Sequence, residues 1–404
     1  MLFQFNFYSS LLLISFSQGI IYSLLLLIKG LKTENRSNYW LSLFLLLCSL
    51  YVAPWMLGFA GWYDNQPYRD WLFYLPLQHL FLVGPVIYFY TQSLLNPSFS
   101  FTKKEAWHLL PGALYLLYIV GMWVYDVYVV QESYFYQNGM DKDFDSWYQN
   151  AGLLSMIIYF VVSLKFYNTY KKLIYQVVSY ADTLLFQWIK TYLIAFLIML
   201  LLPILFEFIC YFEPDMNSYK GSWWFYLFFS VVMYYIAVAG YANLASSPIA
   251  YKWSLTKNPI LLLGTTTAIE SPKEETTIDI DYEIASDQAP ADMQIWKTAI
   301  ETLITTEKLY QNQTLNITEV AKKLDTNVAV ISKAINQGFQ MNFNDYINLF
   351  RVQAVKNLLL AGEHHQTTLL GIAFDCGFNS KATFNRAFKK HTGLSPKDFL
   401  KTLH

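Results

Sequence analysis

The stretch GIAFDCGFNSKATFNRAFKKHTGLSPKDF, residues 371–399, reads as a short helix, a tight turn and a second helix. Ala373 is small enough for the two helices to cross closely, and Gly377 supplies a backbone that residues with side chains adopt less readily. Phe384 and Phe388 stand one helical turn apart, so they share a face that points inward. Asn385, Arg386, Lys389 and Lys390 are left on the other face.

The same pattern occurs earlier, in LNITEVAKKLDTNVAVISKAIN, residues 315–336. Val320, Ala321 and Leu324 recur 52 positions later as Ile372, Ala373 and Cys376, and Ile331, Lys333, Ala334 and Ile335 recur 53 later as Phe384, Arg386, Ala387 and Phe388. The extra residue falls in the turn, where Asp325 stands at the place of Gly377. Two copies of a helix-turn-helix unit therefore lie in one domain.

Around them the periodicity predicts seven helices: Met293 to Tyr310, Ile317 to Leu324, Val328 to Gln337, Phe343 to Leu360, Leu369 to Cys376, Lys381 to Lys390 and Pro396 to Leu403. Asn316 with Glu319, Asn342 with Asp345, and Ser395-Pro396 with Asp398 have the spacing of helix N-caps.

Motif, spacing and duplication together resemble the DNA-binding domain of the AraC/XylS-type transcription regulators over roughly residues 312–403. The matched features are the Ile-Ala pair, Gly-Phe, the basic end of the second helix and Gly-x-x-Pro. The helix from Phe343 to Leu360, with Tyr346, Arg351 and Ala354, resembles the family's linker helix.

The resemblance implies two recognition helices in successive major grooves of double-stranded promoter DNA, about 34 Å apart. It places base-edge or nearby contacts on Ala329, Ser332 and Lys333 in the first helix and on Ala382, Thr383, Asn385 and Arg386 in the second. Lys381, Lys389 and Lys390 would neutralise phosphates, which positions the domain without reading sequence. Val328, Ala329, Val330 and Ile331 offer no long hydrogen-bonding side chain, so discrimination should rest on the second helix, chiefly on Arg386. Arg351 and Lys356 read as structural pairing or solvent exposure.

From residue 292 to 404 there are 13 Lys/Arg against 9 Asp/Glu, a modest basic bias that suits DNA and is also common on ordinary domains. Residues 247–291 are rich in Thr, Pro, Asp and Glu and read as an acidic flexible linker. A coil of that length has an r.m.s. span of roughly 35 to 40 Å. One apolar patch, Pro259 to Leu263, interrupts it.

The first 246 residues live in a different solvent. The whole chain is 55% hydrophobic and 14% charged, against about 25% charged in soluble domains. The deficit is concentrated in seven apolar runs long enough to span a bilayer: Asn6–Ile28, Tyr39–Gly61, Trp71–Leu95, Leu109–Val130, Ala151–Tyr170, Thr191–Phe212 and Ser222–Ala245. The first run lacks the flanks of a cleaved signal peptide and reads as a retained helix. The expected fold is all-α, a seven-transmembrane bundle followed by the seven-helix domain.

Lys29, Lys32 and Arg36, then Lys103 and Lys104, then Lys171, Lys172 and Lys190 load the odd loops, whereas Arg69, Lys142 and Lys220 stand singly in the even ones. The positive-inside rule then puts the N-terminus outside and everything after Ala245 in the cytoplasm, at the inner membrane of a bacterium. Gln18, Gln78, His79 and Glu207 are polar groups within spans; they read as interhelical hydrogen-bonding groups or as a membrane polar site for an unidentified ligand or partner.

A retinal-binding class fails a simple test, and other classes find less support. The seventh span contains no lysine to hold a retinal Schiff base. No paired Gly/Pro-broken helices mark a transport site. No phosphate-binding glycine loop, nucleophile motif or paired carboxylates point to an enzyme, and no cofactor is implied. Cys48, Cys210 and Cys376 lack metal-ligand spacing and read as free thiols; the neighbouring His364 and His365 read as exposed groups, and with His391 elsewhere no metal site is assigned. The expected function is a membrane-anchored one-component regulator, sensing or localising through its membrane half. The competing reading is a receptor or transporter whose C-terminal domain is a protein-interaction module. Signal transfer through a homodimer on adjacent sites, through proteolysis of the linker, or by anchoring alone stays open at the level of sequence.

Overall fold

A computed structural model describes residues 4–96, 99–131, 146–181, 186–243, 250–252, 260–262, 277–279 and 290–403. The chain divides into two compact units, one of residues 1–167 with 187–246, the other of residues 168–186 with 247–404.

In the first unit α1 (Phe7–Thr33) begins where Asn6 and Ser9 cap each other reciprocally, and the Asn6 amide also donates to the Phe59 carbonyl at 2.8 Å. Glu34 takes a left-handed backbone, Asn35 caps α2 (Arg36–Phe59), and the chain thereby reverses. α9 (Tyr219–Ala242) packs on both. Gly19 is the residue that lets them close up: a Cβ there would overlap Ser49 Oγ and lie 3.0 Å from Met233 Cε. Ser23 and Ser42 each donate to the other's carbonyl, at 2.9 and 2.7 Å, within the buried α1–α2 seam. Small residues and short hydroxyls at a helix seam are what packing in lipid requires, because no hydrophobic effect drives helices together there.

Outside that seam the helices stay apolar. Ile14, Leu24 and Leu31 of α1 are 65%, 52% and 65% exposed, as are many residues of α8 (Phe186–Phe212), a surface suited to hydrocarbon rather than water. Among the described residues, six helical stretches are long and apolar enough to cross a membrane: Phe7–Thr33, Arg36–Phe59, Lys103–Val130, Tyr148–Val177, Trp188–Phe212 and Tyr219–Ala242.

The third expected span is not one helix. α3 (Tyr68–Tyr74) ends at an extended Leu75, and α4 (Leu80–Leu95) starts after a gap of residues 75–79. Pro76 is the cause, since its ring disfavours helical backbone at Leu75 and it has no N–H to donate. At about 1.5 Å per residue, α4 is roughly 24 Å long, short of a full hydrocarbon core. The gap is closed by protein: Tyr148 Oη donates to the Gln78 carbonyl at 2.8 Å and accepts from the Leu80 N–H at 3.1 Å, while its ring stacks on Tyr115 at 3.9 Å. α5 (Lys103–Ala106), α6 (Leu110–Tyr125) and α7 (Ser146–Val177) complete the unit's helices, α7 passing into the second unit at residue 168.

In the second unit the expected flexible linker contains three short strands, β1 (Ala250–Lys252), β2 (Ile260–Leu262) and β3 (Thr277–Asp279), paired antiparallel in that order. The apolar patch noted in the sequence is where β2 forms. The remainder of the expected linker lies outside the described residues. Seven helices follow among the described residues: α10 (Pro290–Thr306), α11 (Ile317–Lys323), α12 (Val328–Lys333), α13 (Phe343–Leu360), α14 (Leu369–Asp375), α15 (Lys381–Thr392) and α16 (Pro396–Lys401). The caps are those the spacing predicts: Asn316, Asn342 and Ser395 accept from the N–H of Glu319, Asp345 and Asp398 at 3.0, 2.8 and 3.2 Å. The core of the second helix-turn-helix gathers Val352, Val355 and Leu359 of α13 with Ile372, Ala373, Phe384 and Phe388.

Residues 168–181 belong to this unit as well. Val178 forms a lone antiparallel bridge with Asn316, the Ser179 N–H donates to the Leu315 carbonyl at 3.1 Å, and Asn344 Nδ2 donates to the Val178 carbonyl at 3.4 Å.

Candidate nucleic-acid interface

The two helix-turn-helix units are built alike at atomic detail. Ala321 and Ala373 are 2% and 0% exposed at the helix crossings. Each accepts the return hydrogen bond of its turn, from Thr326 N–H and from Phe378 N–H, both at 3.0 Å. Asp325 and Gly377 hold the equivalent left-handed positions, with φ of 48° and 93°. Asn327 then caps α12 by accepting from Val330 at 2.9 Å, and Ser380 caps α15 by accepting from Thr383 at 3.2 Å. Behind the caps, Ile331 and Ile335 in one unit and Phe384 and Phe388 in the other are at most 2% exposed.

α13 joins the units and carries the domain's most deeply buried cation. Arg351 is 1% exposed. Its Nε donates to the Tyr310 carbonyl at 2.8 Å, Nη1 to the Ser179 carbonyl at 3.0 Å and Asn348 Oδ1 at 3.2 Å, and Nη2 to Ser179 Oγ at 2.9 Å and the Asn312 carbonyl at 2.8 Å. Burial pulls the guanidinium down to about 9, so it is still protonated at neutral pH. Its five bonds go to neutral oxygens, which satisfies the fork without a carboxylate.

The family described as a helix-turn-helix domain matches residues 320–402. The C-terminal domain is an AraC-type helix-turn-helix domain. Neither a curated protein nor a solved structure matches the chain.

Within the AraC-type domain the surface of α15 falls into two faces. Lys381, Ala382, Asn385, Arg386, Lys389 and Lys390 are exposed on one, whereas Thr383 is 1% exposed with its hydroxyl held by Ser380 Oγ at 2.9 Å. Thr383 thus fixes the start of α15 and presents almost no surface. Lys390 Nζ lies 2.6 Å from Asp345 Oδ2, so this lysine is already paired. On α12 Ala329 is exposed and Ser332 and Lys333 are half-buried; a π-helical turn, Ala334–Gly338, extends the helix. Lys356 stands 5.9 Å from the Phe399 ring, a structural placement. Among the described residues no group of three or more His, Cys, Asp or Glu could hold a metal, and the three cysteines are free.

The membrane polar residues do not converge on one site. Gln78 Oε1 accepts from Gln149 Nε2 at 3.1 Å and Gln78 lines a cavity of about 740 Å³ with Trp55, Asp64, Tyr219 and Tyr226. Its neighbour His79 lines a different cavity, of about 50 Å³, among Phe44, Met199 and Phe229. Gln18 sits on α1 beside Gly19 with its amide atoms buried, and Glu207 is exposed on α8 and lines neither cavity. A buried carboxylate that sequence reading passed over is Asp126, 1% exposed, which accepts from Tyr74 Oη at 2.7 Å. Its signal was an acidic residue inside the expected span Leu109–Val130.

Proposed function

We propose that the chain is a membrane-anchored one-component transcription regulator whose AraC-type domain binds promoter DNA on the cytoplasmic side, with α12 and α15 in successive major grooves. The observation that carries the reading is the pair of matching turn-and-cap arrangements, each presenting one helix with a buried apolar face and an exposed face. α15, with Asn385, Arg386 and Lys389 exposed, supplies base readout and phosphate contact. α12, with Ala329, Ser332 and Lys333, supplies shape and a weaker readout.

The orientation has support beyond charge counting. Residues 171–181, from the Lys-rich stretch after the fifth expected span that the positive-inside rule assigns to the cytoplasm, fold with the DNA-binding unit, as a shared compartment requires. Signals would enter through the membrane half, where the 740 Å³ cavity has the size of a small-molecule site.

The test is selection of duplexes from a random library by the full-length protein in lipid nanodiscs. A defined motif is expected, with affinity falling steeply as salt rises. Recovery of no enriched motif, or binding indifferent to salt, would sink the proposal.

A further inference from the structure

Residues 168–181, the last turns of α7 and the residues that follow it, fold with the C-terminal unit although α7 begins in the first unit. They are seated firmly. Leu173, Ile174, Val177, Val178, Ser179 and Ala181 are each 3% exposed or less. The segment gives Arg351 two of its five acceptors, the Ser179 carbonyl and hydroxyl, and takes a backbone bond from its own N–H to Leu315, next to the cap of α11.

The seat adjoins the reading helix. Tyr175 faces Arg386 and Lys390 of α15 across a cavity of about 330 Å³ that Asn344 and Asn348 of α13 also line. To be read by Arg386, a duplex must bring a major groove about 12 Å wide and 8.5 Å deep, with its phosphate walls, up to that face of α15. On the flank of Arg386 that Tyr175 bounds, the space is about 330 Å³, so a phosphate wall brought there meets the segment. Lys390 is meanwhile held by Asp345 rather than by a phosphate.

We propose that residues 168–181 are a built-in competitor of DNA: while they are seated on the C-terminal domain the duplex is barred from Arg386, and DNA binds when the segment leaves. This rests on the DNA-binding reading above. The seat is suited to release, because its bonds with Arg351 and Asn344 run to neutral oxygens, which water can replace more readily than it can replace a buried ion pair.

Two substitutions on the segment, outside the DNA-contacting helices, move the equilibrium in opposite directions. Ser179→Pro removes the N–H that bonds Leu315 and loosens the seat. Ser179→Asp sets a carboxylate against Arg351 and tightens it. Wild type and both variants, full length in nanodiscs, are each incubated with the random duplex library, and affinity for the enriched duplex is measured. The expected result is about tenfold tighter binding for Ser179→Pro and several-fold weaker binding for Ser179→Asp. Should Ser179→Pro fail to remain monodisperse, Ser179→Ala, which removes only the hydroxyl acceptor, takes its place with a two- to threefold gain expected. Equal affinities for all proteins would overturn the competitor and leave the regulator reading standing. Weaker binding by Ser179→Pro would also overturn it, and would mean that the segment, through exposed Lys171 and Lys172, helps to hold the duplex. If no protein enriches any duplex, the regulator reading fails and the competitor fails with it.

Discussion

Gly377 lies against the backbone of Gln311: a Cβ built on the glycine would stand 2.8 Å from Gln311 Cα and overlap the neighbouring Tyr310 carbonyl, which also accepts from Arg351 Nε. Sequence reading explains this glycine by its turn alone. The close approach adds a second reason, for the turn of the second unit is pressed onto the strand of chain that leads into the first.

Gly377→Ala should therefore cost more than a turn glycine usually does. A positive φ and a backbone overlap together are worth roughly 2 to 4 kcal/mol. Hydrogen exchange followed by mass spectrometry on the full-length protein should show lost protection across α14 and α15. Asp325→Gly, at the equivalent position with φ of 48°, should be neutral or gain up to about 1 kcal/mol. Equal effects at the two turns would contradict the difference in their surroundings.

Arg386→Ala and Lys389→Ala should fail differently on the selected duplex. The first is expected to cost about 1 to 3 kcal/mol and to relax preference at one base pair; the second should weaken all sequences alike and lower the salt slope by about one unit. Were Arg386→Ala to leave DNA occupancy in cells unchanged, the C-terminal domain would be serving as a protein-interaction module instead.

His391 makes the DNA-binding domain sensitive to acid. Burial lowers its pKa from the usual value, an effect that Lys390 reinforces and Asp345 opposes. Below about pH 6.5 the unfolded chain gains a proton that the folded domain still resists, so stability falls as pH drops through that window and levels off once the folded histidine is protonated too. Protection of α15 against hydrogen exchange should decline between pH 7.5 and 5.5 after correction for intrinsic rates. His391→Gln should flatten that decline.

Gly19→Leu should dismantle the membrane bundle, since the new side chain has to fit where Ser49 and Met233 already meet the α1 backbone. Loss of a monodisperse peak in detergent is the expected reading. Ile14→Ala, on the exposed face of the same helix, should leave the peak unchanged.

What could be read from the sequence was what repeats locally. Helix caps at Asn316, Asn342 and Ser395, the two crossings at Ala321 and Ala373, and the inward Phe384 and Phe388 all follow from spacing of three or four residues. A break at Pro76 was legible in principle, but an unbroken apolar run concealed it. The burial of Thr383 was not, because resemblance assigns a position to a helix without fixing which way its side chain turns. The contact of Ser179 with Arg351 joins residues 172 apart, and no periodicity encodes such a pair. A polar site in the membrane half was expected from residue types alone, and Gln78 and His79, adjacent in sequence, turn out to face separate cavities.

The three short strands bear on mechanics. Ala250 is in register with Leu262, and Leu262 with Thr277, so the ends of the paired stretch, Ala250 and Asp279, are only on the order of 12 Å apart by ordinary strand spacing. Stretched out, the same residues would cover close to 100 Å. The pairing thus stores chain length: Ala250 and Asp279 lie on the two outer strands at opposite ends of the sheet, and the distance between them is fixed only while the strands stay paired. Loss of that pairing would therefore free many tens of ångströms of chain, on the order of 90 Å, between Ala250 and Asp279.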